Sequence, residues 1–253
     1  MTAACNICGG AADISYPTGT KVCKWCARAQ GLALPPAVSA DEKTSPAPES
    51  RIYTLDRELT YAGASADPVD DAKWRAEWTR FCKDVFHEDV DLSAIRIPQN
   101  PGGYDRVLFL LPWMTQNRLW AKCGALFARH SYIGDDLDKV VSKHERSVAN
   151  GAYAIRVRPN VEADEEPKNR SAIWIAGQNR KTVTLPERLV LSPWHHWMTG
   201  GEHLDITNIT LCAGSRGSDG SVPYVCWGVG LLDVIWYYPG YANGGLRARS
   251  AVS

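Results

Sequence analysis

Residues 212–253 contain no Lys, Glu, Gln or Met, although roughly six or more such residues are expected in a stretch of this length at average usage. What remains is aromatic and Gly-rich, in short apolar runs broken by Gly, Asp and Pro, a pattern that reads as a compact sheet. A gap that spans four unrelated side-chain chemistries is not a folding requirement. It points instead to the coding history of the segment.

Other absences narrow the classes of function. Formal net charge is +0, with Lys+Arg 28 against Asp+Glu 28, so no global field draws the chain to nucleic acid or to an anionic membrane, and any such contact must be local. The opening residues lack a basic n-region and an apolar run of about seven or more, and no later run approaches the length that spans a bilayer. A cytoplasmic protein without membrane insertion is therefore expected. There is no Walker loop, no G-x-S-x-G elbow and no dinucleotide fingerprint. Gly228-Val229-Gly230 precedes a strand pattern rather than a helix, so it is no phosphate cradle, and no motif marks Ser215 or Cys226 as a nucleophile. The expectation is a protein that is not an enzyme.

With 253 residues, 45% hydrophobic and 22% charged, the chain has globular proportions and room for one main domain with an appendage. The appendage is marked by cysteine. Of eight Cys, four group as Cys5-x2-Cys8 and Cys23-x2-Cys26 with fourteen residues between the pairs, the spacing of two knuckles that close a tetrahedral zinc site. All four ligand positions are then protein-filled, so the zinc is structural and folds a module too small to build its own core. Two disulfides or a redox pair are the alternatives, the first disfavoured by a reducing compartment and the second by the lack of a flanking βαβ pattern. Lys21, Lys24 and Arg28 beside the second knuckle leave either a protein or a nucleic-acid contact open for this ribbon.

The zinc ribbon thus covers residues 1–30, and a Pro-, Ala- and Ser-rich linker covers residues 31–50. Residues 51–253 form the main domain. Trp74, Trp78, Phe81, Cys82 and Val85 recur at three- and four-residue spacing and predict a helix over residues 70–86. Residues 106–112 and 153–158 read as strands, residues 117–129 as a helix capped by Asn, and residues 185–198 as a helix interrupted or kinked at Pro193 and closed at Gly200 and Gly201. Beyond Leu204 everything reads as β. The fold class is α+β, with two helices ahead of a terminal antiparallel sheet.

Two clusters resemble metal sites on paper. His195 and His196 lie near Glu202 and His203, but adjacent His point about a hundred degrees apart on a helix and do not chelate as an i, i+4 pair does. Glu162, Asp164, Glu165 and Glu166 lack the Gly turn of a calcium loop and read as a solvated loop. In the terminal segment, alternation sends Val222, Tyr224 and Cys226 to one face and Pro223, Val225 and Trp227 to the other, then Leu232, Val234, Trp236 and Tyr238 against Asp233, Ile235 and Tyr237. Trp227, Trp236, Val225 and Val234 are the expected packed anchors, and Tyr and small residues the contact surface.

The framework Leu211-Cys212-Ala213-Gly214-Ser215-Arg216, Gly220, Val222-Pro223, Trp227, Trp236-Tyr237 and the closing Leu246-Arg247-Ala248-Arg249-Ser250-Ala251-Val252-Ser253 resembles the variable, or target, proteins of diversity-generating retroelements. The likeness runs from RVLFLLP onward and leaves the ribbon outside it. It implies a C-type-lectin-like fold related to formylglycine-generating enzymes, and a ligand surface randomised by an error-prone reverse transcriptase at template adenines. In that mechanism Asn codons of the form AAY become NNY, which never encode Lys, Glu, Gln, Met or Trp. Trp occurs in the segment only at Trp227 and Trp236. The resemblance implies that Ser221, Tyr224, Cys226, Gly228, Val229, Leu231, Asp233, Ile235, Tyr238, Gly240, Tyr241, Asn243 and Gly244 belong to the variable set that meets a protein or other macromolecular ligand. Two other functions are weighed: a zinc-ribbon nucleic-acid binder with a lectin-like regulatory domain, and a formylglycine-generating-type oxidase that uses Cys212 or Cys226.

Overall fold

The computed structural model of the chain falls into two units, Met1–Ala62 and Gly63–Ser253. It describes residues 68–253 and, in the first unit, two short strands. These are β1 (Ile14–Ser15) and β2 (Lys21–Val22), paired antiparallel with Ile14 opposite Val22. Cys5, Cys8, Cys23 and Cys26 and the linker lie outside the described residues.

In the second unit, Asp70 and Asp71 sit in the first turn of α1 (Pro68–Phe81), where carboxylates complement the helix dipole. A π-helical turn over Cys82–Phe86 carries the chain to His87, which ends it in the left-handed region at φ 61°. The expected apolar stripe is the buried one: Trp74, Trp78, Phe81, Cys82 and Val85 all lie in the core. Trp78 stacks on Trp194 at 4.6 Å and meets Phe109 edge-on at 5.7 Å, while its indole N–H donates to the Val107 carbonyl at 2.9 Å. That bond satisfies the one polar atom of a fully buried ring.

The strand β3 (Arg106–Leu110) is buried along its whole length. Next comes α2 (Gln116–Leu126), whose cap is Thr115 rather than Asn117. Asn117 lies inside the first turn, and its Oδ1 accepts instead from the Leu137 and Asp138 amides, capping α3 (Leu137–Val140), while Asp138 accepts from the Gln116 and Asn117 amides. The two helix starts cap each other. Between them runs β4 (Arg129–Ser131), and after them β5 (Lys143–His144), a 3-10 turn (Val148–Asn150) and β6 (Tyr153–Val157).

Two more helices follow, the short α4 (Ala172–Gly177) and α5 (Leu185–Thr199). Pro193 leaves α5 unbroken; a Pro costs a helix one hydrogen bond and some strain, which burial of the surrounding residues offsets. A capping box of Thr184 and Glu187 opens α5, and Gly200 at φ 73° closes it. The last strands are β7 (Ile209–Leu211), β8 (Ser215–Arg216), β9 (Val222–Gly228), β10 (Leu231–Tyr237), β11 (Leu246–Arg247) and β12 (Ala251–Val252).

The class is α+β, but the terminal strands do not make one antiparallel sheet. A five-stranded sheet has the order β11-β7-β9-β10-β4, and its two outer pairings are parallel. The final strand β12 leaves it for a three-stranded antiparallel sheet, β12-β6-β3. One face of the larger sheet sends Val225, Leu232 and Val234 into the main core with α2 and α5, and the other buries Ile209, Leu211, Tyr224 and Leu246 apart from that core. The α4 region is tied to the end of this sheet: the Ile173 amide donates to the Pro239 carbonyl after β10 and the Asn169 amide to the Leu246 carbonyl of β11.

Candidate functional site

The hairpin β9–β10 is the centre of the segment. Gly228 pairs with Leu231, so Val229 and Gly230 alone make the turn, at φ 53° and φ 81°. Positive φ at both central residues is the type I′ geometry, in which Asn-Gly is favoured because a β-branched side chain collides with its own backbone there. Val229 is also half in solvent. A strained, exposed Val at the tip serves neither the turn nor the core.

Register sorts the remaining residues. Leu232 opposite Trp227 and Val234 opposite Val225 face the core. Asp233 opposite Cys226, Ile235 opposite Tyr224 and Tyr237 opposite Val222 lie on the second face. There Tyr224 stacks on Tyr237 at 4.4 Å, and Tyr237 packs on Tyr241 at 4.3 Å, a ladder that runs from the buried sheet to its rim. The parallel edge strand β4 extends the second face by setting His130 against Asp233. Three-residue β4 has no periodicity to read, and its partner lies about a hundred residues away in sequence, so nothing local announces it.

Of the residues implied as variable, Val229, Tyr238, Gly240 and Gly244 are exposed, and Ser221, Gly228, Leu231, Asp233, Ile235, Tyr241 and Asn243 are half-buried. Ser221 closes a turn in which its amide donates to Asp219, and Asn243 accepts from the Gly245 and Leu246 amides and steers the chain into β11. Tyr224 and Cys226 are different: at 4% and 2% exposure they are covered, and a ligand does not reach them. Trp236 also departs from expectation. Alternation puts it with the packed anchors, but at 37% exposure it stands in solvent, packed edge-on against the exposed Tyr238 at 5.4 Å. Its strand has run past the core there, and its cross-strand partner is only Pro223. Trp227 does pack, face to face on His203 at 3.3 Å and edge-on against Phe127.

Beneath this surface the closing residues are locked by charge. Asp205, fully buried, accepts from Arg249 at 2.6 Å, from Arg188 at 2.8 Å and from the Thr210 hydroxyl at 2.5 Å. Burial pushes its carboxyl up, but Arg249, Arg188 and Thr210 outweigh that and hold it below the ordinary carboxylate range. Arg249 also donates to the Asn160 and Val161 carbonyls. The acidic run joins the same frame at Asp164, which is buried and corrects its reading as a solvated residue, while Glu165 and Glu166 are exposed as that reading has them. Glu162 accepts from the Ile206, Thr207 and Asn208 amides, Asp164 binds Arg158 and the Ser250 amide, and Glu165 pairs with Arg247 at 2.7 Å. A carboxylate with that many internal donors is a staple, and two of the donors, Arg247 and the Ser250 amide, lie too far along the chain to pair by inspection.

Cys212 and Cys226 are buried, and burial pushes the Cys212 thiol far up, so the thiolate that a cysteine oxidase needs is disfavoured. His196 and His203 stack at 5.1 Å rather than converge, and no group of three or more His, Cys, Asp or Glu that could hold a metal exists among the described residues. No helix among them is long and apolar enough to cross a membrane. No protein-family model matches the chain, and neither a curated protein nor a solved structure does.

Proposed function

We propose that residues 212–253 are a codon-diversified surface carried on a C-type-lectin-like scaffold, and that the protein is a retroelement variable protein that binds a macromolecular ligand. The observation that carries this reading is Val229. A type I′ turn selects Asn before Gly, and Val stands there at φ 53°. The Asn codon AAY becomes a Val codon, GTY, when both adenines change. Backbone strain at this position is what codon randomisation leaves behind, since it replaces a residue without regard to the turn that the residue served.

The division of labour supports the same reading. Arg247, Ala248 and Arg249, which the resemblance treats as framework, are buried, and, apart from Ser218 and Asp219 in the turn before β9 and the terminal Ser253, the exposed positions of the segment lie at the hairpin tip, the Trp236–Tyr238 rim and the loop that follows. Trp236 is a constant aromatic within the variable surface, because NNY codons never encode Trp. Rigid scaffolding with exchangeable loop residues suits a binder that changes partner without refolding. The four-cysteine zinc ribbon then serves as the tether to a protein or nucleic-acid component, and a cytoplasmic setting keeps its thiolates reduced.

Sequencing the genomic neighbourhood tests the proposal. The expected result is a reverse transcriptase gene and a near-copy of the segment that differs chiefly at adenines, with an AAY codon at position 229. A neighbourhood with neither, or a near-copy that encodes Val there, overturns it. Elemental analysis of the purified chain should return one zinc, lost in Cys8→Ser.

A further inference from the structure

The two outer strands of the sheet β12-β6-β3 cover β6 unequally. β3 pairs along all of it, from Arg106 opposite Val157 to Leu110 opposite Tyr153, whereas β12 pairs only with Val157 and Arg156. Past that point residues 152–154 border a cavity of about 600 Å3. Its size lies in the range of ligand sites, and none of the residues implied as variable lines it, so what it binds is independent of the proposed ligand surface.

Register gives the direction of the main-chain groups there. The Ala251 amide donates to the Lys181 carbonyl, away from β6, so Val252 is the residue of β12 that exchanges hydrogen bonds with Arg156. The carbonyl of Val107, opposite Arg156 on the other side, accepts from the Trp78 indole rather than from β6, which sets the same phase. Ala154, two residues before Arg156, therefore turns its N–H and C=O toward the β12 side, beyond the last β12 pair. No hydrogen bond reaches either group from another described residue. Ala154 lines the cavity and keeps 5% exposure. A main-chain donor and acceptor at that depth are as a rule paired, and among the described residues the fold supplies no partner.

The opposite wall is residues 94–99. Ile95 and Pro98, with Tyr153 and Val252, make the lining largely apolar, and Arg96, which is exposed, is the one charged side chain on it. An open strand edge with a donor and an acceptor side by side is complemented by another main chain, while the flanking wall adds a preference for side chains.

We propose that an extended peptide binds in this gap, its main chain pairing with Ala154 in line with β12, an apolar side chain resting on Ile95 and Pro98, and a carboxylate facing Arg96.

The test is NMR titration of the full chain with acetyl-Val-Ala-Val-Asp-amide. In the free chain the Ala154 amide should exchange with solvent faster than that of Arg156, and it should slow as the peptide shifts it saturably. Of two versions of the peptide N-methylated at alternate residues, one should keep its affinity and the other lose about tenfold or more, because only one edge of an extended peptide faces the sheet. Replacing the peptide's Asp by Lys should weaken binding, and Arg96→Glu should reverse that order. Ala94→Trp, at an exposed position on the wall, should abolish binding while core amides stay in place. Equal affinity for all three Asp peptides, a preference for Asp that persists in Arg96→Glu, binding that survives Ala94→Trp, or no saturable shift in the unsubstituted chain would overturn the assignment.

Discussion

Asp205 shows how much of the molecule can hang on one residue. Its carboxylate compensates two buried guanidiniums, Arg188 and Arg249, that come from α5 and from the chain's closing segment. Asp205→Asn keeps the shape and removes the charge, leaving both cations uncompensated, so a loss of about 3–5 kcal/mol is expected in urea unfolding. The same neighbourhood makes the fold acid-sensitive. Burial, with Arg106, Arg249, Arg188 and His203 adding to it, lowers His195 to about 3, and burial with His196 lowers His203 to about 4. A histidine depressed in the folded state contributes stability in full above its unfolded value, and loses it as pH falls toward the folded one. Asp205, also depressed, acts in the same direction below the ordinary Asp range. The urea midpoint should hold above roughly pH 6.5 and decline steadily toward pH 4; a midpoint that rises on acidification contradicts the assigned neutral histidines.

Elements here form where local signals agree, and strain where they do not. The capping box of α5 is fully buried, and Glu187 also holds Arg146 at 2.7 Å and the Tyr153 hydroxyl at 3.1 Å. Thr184→Ala should therefore cost about 1–2 kcal/mol, at the upper end for an N-cap, measured by chemical denaturation. Gly214 precedes β8 under equal constraint. A Cβ there meets the Thr182 carbonyl at 2.9 Å, and that carbonyl is backbone that cannot turn aside, so Gly214→Ala should destabilise the β7–β8 connection. At the tip of β9–β10 the sign reverses. Val229→Asn restores the turn's preferred residue and should stabilise by about 1 kcal/mol, read as a raised urea midpoint. The apolar stripe of α1 and the Thr-x-x-Glu start of α5 stand plainly in the sequence, because helix periodicity and capping act within a few residues. Asn117 could not be assigned in that way, since its partner is the start of another helix about twenty residues on.

Over the whole molecule, the terminal segment divides into a surface that tolerates change and a frame that does not. Substituting the exposed Tyr238, Gly240 or Gly244 by Ser should alter stability by no more than about 0.5 kcal/mol, whereas Arg249→Leu removes one of the two cations on Asp205 and the donor to the Asn160 and Val161 carbonyls and should cost several times that; parallel thermal melts of the variants check the contrast. The sequence by itself determined the α+β class, the helix faces, the strands β3, β6, β9 and β10 and the inward Val225 and Val234, because each follows from spacing within one short window. It also carried the missing residue types, which no fold requires. Only the tertiary structure decided that β12 leaves the terminal sheet for β6, that β4 joins β10 in parallel, that Asp164 and Glu165 fasten the closing residues, and that Glu162 fastens the turn into β7. It alone turned Trp236 outward and covered Tyr224 and Cys226. The physical reason is common to all of these: pairing, burial and charge compensation join residues far apart in the chain, and the energy of such contacts belongs to the pair rather than to any local run of residues.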